Sequence, residues 1–383
     1  MHFTVHMHLR SITTTRPINL SITRRNMSTG LPTSQKALYL PAIHQPFVVK
    51  TIPVKQPSAG QVLIRNEAVA LNPIDWKVQA AVVKREVSEF PRILGFDGAG
   101  IVVGVGEGVT NVKVGENVLY EGNAGGPEGG TEHAAFQQYT IIPAPFVGKI
   151  PSNITFDQAA TLPVGLTTAA VGLYQDRIQL GGAGLLAPWL DGGRGKYANQ
   201  PILIIGAAAS IGQSAVMLAK LSGFSPIITT SSPHNFAHLK SLGADYNLDR
   251  NENLDGIEAY SKLPLNIIYD AVGSAETQTA AQRVLSPGGT LVSALPSSLP
   301  EAEKDVSKHF VFSYGSVHFP NHAEFSTKLY QSLYGLLESG DIKPNNVEYA
   351  SGGLNAIDGQ LQRLKRGEVG GKKIVVRPSE TVV

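Results

Sequence analysis

Between Lys36 and about Pro151 the apolar residues come in short runs punctuated by Gly and Pro, a strand-like pattern. Residues 47–52, 61–71, 98–105 and 116–120 are the clearest runs, and together they predict a compact β-rich domain. After Thr155 the period lengthens, and 156–160 and 166–174 read as helices. The chain then alternates: strands at 202–205, 227–230, 267–269 and 290–294 are separated by helices at 211–221, 235–242 and 275–284. Such alternation implies parallel strands joined by crossover helices, a doubly wound sheet. Residues 187–200, with Pro188, Trp189 and three glycines, read as a loop leading into that sheet. Beyond Phe319 a helix at 324–338 is followed by Gly-rich turns and a last strand at 373–376, with no fourth complete βα unit. That tail is expected to pack back onto the first domain.

Composition narrows the class. A chain of 383 residues is long for one core, and 42% hydrophobic with 16% charged residues is ordinary for a globular enzyme. A formal net charge of +2 gives no reason to expect nucleic acid as a partner. The longest apolar runs are broken by Gly, Pro or charge, so no membrane span is expected. Cysteine is absent, which removes disulfides and thiolate metal sites and agrees with an intracellular setting. Before Met27 the chain carries Arg10, Arg16, Arg24 and Arg25, many Ser and Thr, and no acidic residue. That composition resembles a mitochondrial transit peptide. A disordered tail, or a start placed upstream of Met27, are the plainer readings. His2, His6 and His8 in this tail read as solvated. The expected location is cytoplasmic, or mitochondrial if the tail is a targeting signal.

The strongest local signal runs Pro201-Ile-Leu-Ile-Ile-Gly206-Ala207-Ala208-Ala209-Ser210-Ile211-Gly212, and a helical pattern follows at once. An apolar strand enters a turn of small residues at a helix start, where backbone can approach a pyrophosphate and the helix N-terminus can face its charge. The fingerprint is degenerate, because Ala208 and Ser210 stand where a stricter form carries glycine; a tight turn of another α/β protein is the bland alternative. Sites specific for NAD place a carboxylate about 20 residues further on, at the end of the second strand. Here that strand ends Thr229-Thr230-Ser231-Ser232-Pro233-His234-Asn235, and no Asp or Glu lies between Gly206 and Asp245. Ser232 followed by Pro233 is a helix-start signal. Hydroxyls and free amides there suit the 2′-phosphate of NADPH, with Arg250 as a candidate cation. Plain turn residues and an exposed structural Arg are the competing readings.

From residue 36 onward the chain resembles the zinc-free branch of the medium-chain dehydrogenases and reductases, the quinone oxidoreductases and enoyl reductases. Within it, the chain is most similar to the fungal trans-acting enoyl reductases of polyketide pathways. Asn72-Pro73-Ile74-Asp75-Trp76-Lys77 is similar to the family's N-P-x-D-x-K segment, which lines the active-site cleft. Residues 91–100 resemble its P-x-x-L-G-x-D-x-x-G turn, and 159–169 the segment beside the nicotinamide. Tyr269-Asp270-Ala271-Val272-Gly273 matches the strand under the cofactor, and Gly352-Gly353-Leu354 with Gly367–Lys372 matches the family's ending. The resemblance implies a GroES-like catalytic domain over 35–160, a Rossmann NADP-binding domain over 161–320, a return to the catalytic domain over 321–383, and a tail at 1–34. It also implies cofactor contacts from Thr167, Val272, Gly273 and Leu295, besides Gly206, Ala208, Ala209, Ser210, Ile211, Gly212, Ser231, Ser232, His234, Asn235 and Arg250.

The zinc branch carries Gly-His-Glu where this chain reads Gly95-Phe96-Asp97, and it takes further ligands from cysteine. Neither is present, so no metal site is expected. Hydride delivery to an isolated carbonyl leaves an alkoxide that needs a strong electrophile, whereas delivery to an enone leaves a delocalised enolate that hydrogen bonds can hold. The leading expectation is therefore NADPH-dependent reduction of a C=C bond in an enoyl or enone substrate. A quinone oxidoreductase comes second, and an NADPH-binding scaffold or sensor with little turnover is the reading from another class. By carry-over Lys77 is the candidate charge at the enolate oxygen and Asn72 a supporting donor. A turn at Asn72-Pro73 and a solvated Lys77 are the plain alternatives. Asp75 is expected to fix the loop, and Tyr39, Tyr120 and Tyr139 are not distinguished as proton donors. Residues 122–130 read as a loop that covers substrate or as a simple flexible turn. A small-molecule or acyl substrate and a monomer or homodimer complete the expectations, with neither nucleic acid nor membrane as a partner.

Overall fold

The computed structural model describes Met1, residues 30–82, 90–124 and 130–382. The tail before residue 30 and most of the Gly-rich stretch 122–130 lie outside the described residues, and with them the readings that fell there. The first part of the chain contains β1 (Ser34–Leu40), β2 (Val48–Pro53), β3 (Gln61–Ala70), α1 (Pro73–Gln79), β4 (Arg92–Ile93), β5 (Asp97–Val105), β6 (Asn117–Glu121), β7 (Tyr139–Pro143) and β8 (Val147–Lys149). Helices α2 (Phe156–Ala159) and α3 (Pro163–Tyr174) lead to β9 (Ile202–Ile205), α4 (Ser210–Leu221), β10 (Ile227–Ser231), α5 (Phe236–Leu242) and β11 (Tyr246–Asp249). Then come β12 (Ile267–Asp270), α6 (Ala275–Val284), β13 (Thr290–Ser293), β14 (His309–Phe312), α7 (Ala323–Glu338), β15 (Asn346–Tyr349), α8 (Ile357–Lys365) and β16 (Lys372–Val376).

The strands form three sheets. Three strands pair in the order β2-β1-β4, and seven form a second sheet, β15-β16-β3-β5-β6-β8, with β7 also on β3. The third sheet has the order β11-β10-β9-β12-β13-β14, and every pairing in it is parallel. Its strand order reverses beside β9, which opens a crevice at the carboxyl ends of β9 and β12. The chain therefore combines a GroES-like β-rich part with a Rossmann sheet. Strands β11 and β14, which the sequence pattern did not mark, are its two edges. Edge strands carry less continuous apolar character, and β11 reads Tyr-Asn-Leu-Asp. The crossings of β9, β10, β12 and β13 bury every residue of those strands.

Helix α3 is buried along almost its whole length, from Pro163 to Tyr174, because it lies between the two sheets and has no solvent face. The chain finally returns: β16 pairs antiparallel with β3 at Val375↔Ala70 and Val376↔Val69, and β15 pairs parallel with β16. Among the described residues no helix is long and apolar enough to cross a membrane.

Polar groups inside the β-rich part are satisfied internally. Asn66 Nδ2 donates to Gln137 O at 2.7 Å and to Thr140 Oγ1 at 2.8 Å, while Tyr120 Oη donates to Asn66 Oδ1 at 2.6 Å. Burial pushes the Tyr120 phenol well above its usual range, so it stays a neutral donor. Tyr120→Phe removes that donor and leaves Asn66 Oδ1 buried without it. Urea unfolding is expected to show a loss of about 1–3 kcal/mol with an unchanged slope. A loss within error would mean that Asn66 finds another partner.

Candidate active site

Turn and helix at the end of β9 form the first half of the site. Gly206 adopts φ +71, and a Cβ there would lie 2.5 Å from Val272 Cγ2, so glycine alone fits between the ends of β9 and β12. The turn closes with Ala209 N–H donating to Gly206 O at 3.0 Å, and Gly212 packs directly on Gly206 O. Helix α4 begins at Ser210 with no side-chain cap and no acidic residue in its first turn. Its first amides therefore meet an anion without competition. Ala208 and Ile211 are partly exposed and Ala209 is exposed. Ser210 is tied elsewhere, since its Oγ accepts from Asn345 Nδ2 at 3.1 Å. Next to this turn Val272 is exposed, and Gly273 abuts Leu295 at the end of β13.

The second strand supplies a neighbouring group. Gly206 N–H donates to Thr230 Oγ1 at 3.1 Å, which fastens the turn to β10. Past β10, Ser232 precedes a short 3₁₀ turn, Pro233–Asn235, that runs into α5, and its side chain makes no cap. His234 is exposed, and Asn235 Nδ2 lies 3.1 Å from its Nε2. Ser231 is buried and turns its hydroxyl to Ser232 O at 3.2 Å. Arg250 N–H donates to Ser231 O at 2.9 Å, and no carboxylate pairs with the exposed Arg250 guanidinium among the described residues. The structure thus gathers Ser231, Ser232, His234, Asn235 and Arg250 at one corner. Asp249 ends β11 in the same corner, and its Oδ1 accepts from Asn251 N–H at 3.0 Å.

The second half of the site is built on α1 and α3. Asn72 caps α1 with Pro73 at the first turn, so the Asn-Pro pair starts a helix here. Asp75 completes the start: its Oδ2 accepts from Asn72 N–H at 2.8 Å. Lys77 lies further along the same helix, half-buried, with Nζ 5.9 Å from the Trp76 ring and no ion pair among the described residues. Burial lowers its pKa below the usual lysine value. Thr167 is buried on α3, 3.4 Å from Tyr330 Oη. No hydrogen bond or ion pair links Lys77 to the turn after β9; at the starts of α1 and α3 stands a polar cluster that the sequence reading did not assemble.

That cluster centres on Asp97, which is fully buried. Its Oδ2 lies 2.8 Å from Lys373 Nζ and accepts from Asn72 Nδ2 at 2.9 Å, and its Oδ1 accepts from Val164 N–H at 2.7 Å. Lys373 Nζ also donates to Asn72 Oδ1 at 2.5 Å. Lys373 could have been noticed as a cation inside the apolar run of β16, but nothing in the sequence pointed to its partner. Asp75 lies beside this cluster, fully buried, and its Oδ1 has no hydrogen-bond partner among the described residues. Desolvation raises its pKa to about 7, and repulsion from Asp97 adds to the rise, while the Asn72 and Gly95 amides and Lys373 oppose it.

A GroES-like domain set against a doubly wound sheet, with an open turn of small residues at the switch point, is the build of a two-domain dinucleotide-dependent oxidoreductase. Residues 58–152 match the family model of the alcohol dehydrogenase GroES-like domain, and residues 210–310 that of the zinc-binding dehydrogenase. A zinc-type alcohol dehydrogenase-like protein of Schizosaccharomyces pombe is 34% identical over 352 residues, 86% of this chain and 96% of its own. Trans-enoyl reductase resD of Aspergillus sclerotiorum is 32% identical over 367 residues, 89% of this chain and 99% of its own. The solved quinone oxidoreductase of Coxiella burnetii shares the fold, with a TM-score of 0.67 at 23% identity, covering 90% of this chain and 99% of that one. The chain belongs to the medium-chain dehydrogenase/reductase family of nicotinamide-dependent oxidoreductases.

Zinc, which one matching model carries in its name, does not fit these residues. The chain has no cysteine, Phe96 offers no ligand atom, and both oxygens of Asp97 are engaged by protein donors. Among the described residues no group of three or more His, Cys, Asp or Glu could hold a metal.

Asp75 makes stability depend on pH in a defined direction. Its folded pKa of about 7 lies above the unfolded value of about 4, so the fold favours the neutral acid. Below about pH 4 both states hold the proton, and stability falls as pH rises toward 7, where the fold must bury a carboxylate. Asp75→Asn, which keeps the acceptor for Asn72 N–H, is expected to gain on the wild type between pH 4 and 7, reaching on the order of 2–4 kcal/mol. Urea unfolding at pH 5 and pH 8 measures it; the same difference at both values would contradict the assignment.

Proposed function

We propose that the protein is an NADPH-dependent reductase of C=C bonds conjugated to a carbonyl group. The observation that carries this reading is the Phe96-Asp97 pair, which stands where the zinc enzymes that the chain resembles read His-Glu: Phe96 offers no ligand atom, and Asp97 is engaged in a neutralised ion pair with Lys373. A reaction whose charge spreads over an enolate asks least of such a site. The similarity to a trans-enoyl reductase over nearly the full length of both chains supports the same choice.

The residues fit the cofactor. The turn from Gly206 to Gly212 and the uncapped start of α4 suit a pyrophosphate, with Val272, Gly273 and Leu295 beside it. The corner of Ser231, Ser232, His234, Asn235 and Arg250 suits a 2′-phosphate, because it holds a guanidinium with no ion pair among the described residues and no carboxylate at the end of β10. When bound, NADPH supplies a hydride to the β-carbon of the substrate. Lys77 then donates a hydrogen bond to the enolate oxygen, and its partial burial strengthens that contact relative to water. Asn72 keeps one Nδ2 hydrogen beyond the one given to Asp97.

Arg250→Ala is expected to weaken NADPH binding roughly ten- to a hundredfold while leaving NADH nearly unchanged, as loss of one charged phosphate contact. Fluorescence titration with both cofactors measures it; equal affinities in the wild type would remove the basis for the preference.

Lys77→Met should lower single-turnover reduction of an enone at least about tenfold, or 1.4 kcal/mol of transition-state stabilisation, with little change in NADPH affinity. Deuterium from labelled NADPH should appear at the β-carbon and solvent deuterium at the α-carbon. Fast quinone reduction with no turnover of enones or enoyl thioesters would make the protein a quinone reductase instead. Tight NADPH binding with no turnover of either class would make it a binding protein.

A further inference from the structure

We propose that Lys373 is a positioning residue of this reductase: held between Asn72 and Asp97, its ammonium group keeps the helix carrying Lys77 and the helix carrying Thr167 in a fixed relation. The inference rests on the reductase reading above.

Four separate elements meet at this point. Asn72 caps α1, Asp97 opens β5, Val164 lies in the first turn of α3, and Lys373 comes from β16. Lysine can only donate, so Asn72 must turn its carbonyl to Lys373 and its amide to Asp97, which fixes the orientation of the cap. The same carboxylate takes the Val164 amide at 2.7 Å and so anchors the start of α3. Lys77 and Thr167 follow these two anchors on short, rigid helical segments.

The charge surroundings make Lys373 the controlling member. Asp75 from α1 and Glu121 from β6 are the other buried acids facing Asp97, and Tyr330 from α7 lies near enough to feel both Asp97 and Glu121. Lys373 is the buried cation among them. Without a donor at this place Asp97 Oδ2 and Asn72 Oδ1 must admit water, which loosens Asn72 or Val164, whereas a neutral amide that still donates there keeps both held. A displacement of about 1 Å between reacting groups can cost on the order of a hundredfold in rate.

The test uses the full chain with Lys373→Gln, which keeps a donor in place, Lys373→Met, which does not, and Asp97→Asn/Lys373→Met, which removes both charges. Trp189→Phe is added in a parallel set, because Trp76 and Trp189 are the two tryptophans and Trp76 precedes Lys77. Three quantities are read: NADPH affinity, single-turnover hydride transfer to a 2-alkenal, and energy transfer from Trp76 to bound NADPH. Lys373→Met is expected to slow hydride transfer at least about tenfold while affinity changes less than about threefold. Lys373→Gln should recover most of the rate. Wild-type hydride transfer in Lys373→Met, or equal losses in the Met and Gln variants, would overturn the proposal. If Lys373→Met does not fold, the double variant carries the test: slow transfer at near wild-type affinity supports the role, and a wild-type rate refutes it. If the wild type turns over no acceptor, the reductase reading fails by itself. Energy transfer from Trp76 then decides, a change in Met but not Gln supporting the positioning role and no change in either refuting it.

Discussion

A carboxylate with no exposed surface is tolerated only where donors and a cation replace the water it has lost, and Asp97 meets that condition through Lys373, Asn72 and the Val164 amide. Removing one partner of such a pair typically costs about 3–5 kcal/mol, because the other charge is left buried alone. The condition reaches far beyond the pair. It requires β16 to come back beside β3, α1 to begin at Asn72, and α3 to point its first amides at β5. The return of the chain and the seat of both site helices therefore depend on one neutralised charge.

Two helix starts in this molecule face the same physical problem and solve it differently. Helix α3 gives its first free amide, Val164 N–H, to an internal anion, Asp97. Helix α4 has no side-chain cap and no acid in its first turn, so its amides are left for an anion from outside. The two helices touch where Gly165 packs against Ser210. A fixed negative charge on β5 and a set of free amides thus stand at the starts of two adjacent helices, and Lys373 neutralises the charge beside the first.

The parts that were legible in the sequence are those encoded locally. The turn after β9 was readable because strand, small residues and helix follow one another within a dozen positions, and the helix read at 275–284 has the bounds of α6. Buried central strands such as β9 and β12 announce themselves as short apolar runs. Strands β11 and β15 did not, since an edge strand carries polar residues on its open side; the apolar β14 follows an irregular segment in place of a crossover helix, and the short helix α8 was hidden among glycines. The Asp97 cluster was invisible for a different reason. Its members come from the beginning, middle and end of the chain, so no spacing rule connects them. Asp97 stood in the sequence as one residue of the 91–100 turn and as no metal site by itself, and Lys373 as the first residue of the last strand.

The return of β16 to β3 also sets an order of events during synthesis. The parallel sheet from β9 to β14 is complete in sequence well before β16 has been made. The seven-stranded sheet, begun earlier, stays open at β3 until the last strand arrives. Until then Asp97 has no counter-ion, and the half of the molecule that starts first finishes last. Domains usually fold in the order in which they leave the ribosome. Here the inserted sheet can be finished inside an unfinished host, and a nascent chain stalled short of Lys373 carries a cofactor sheet but not the charge that aligns it with the rest of the site.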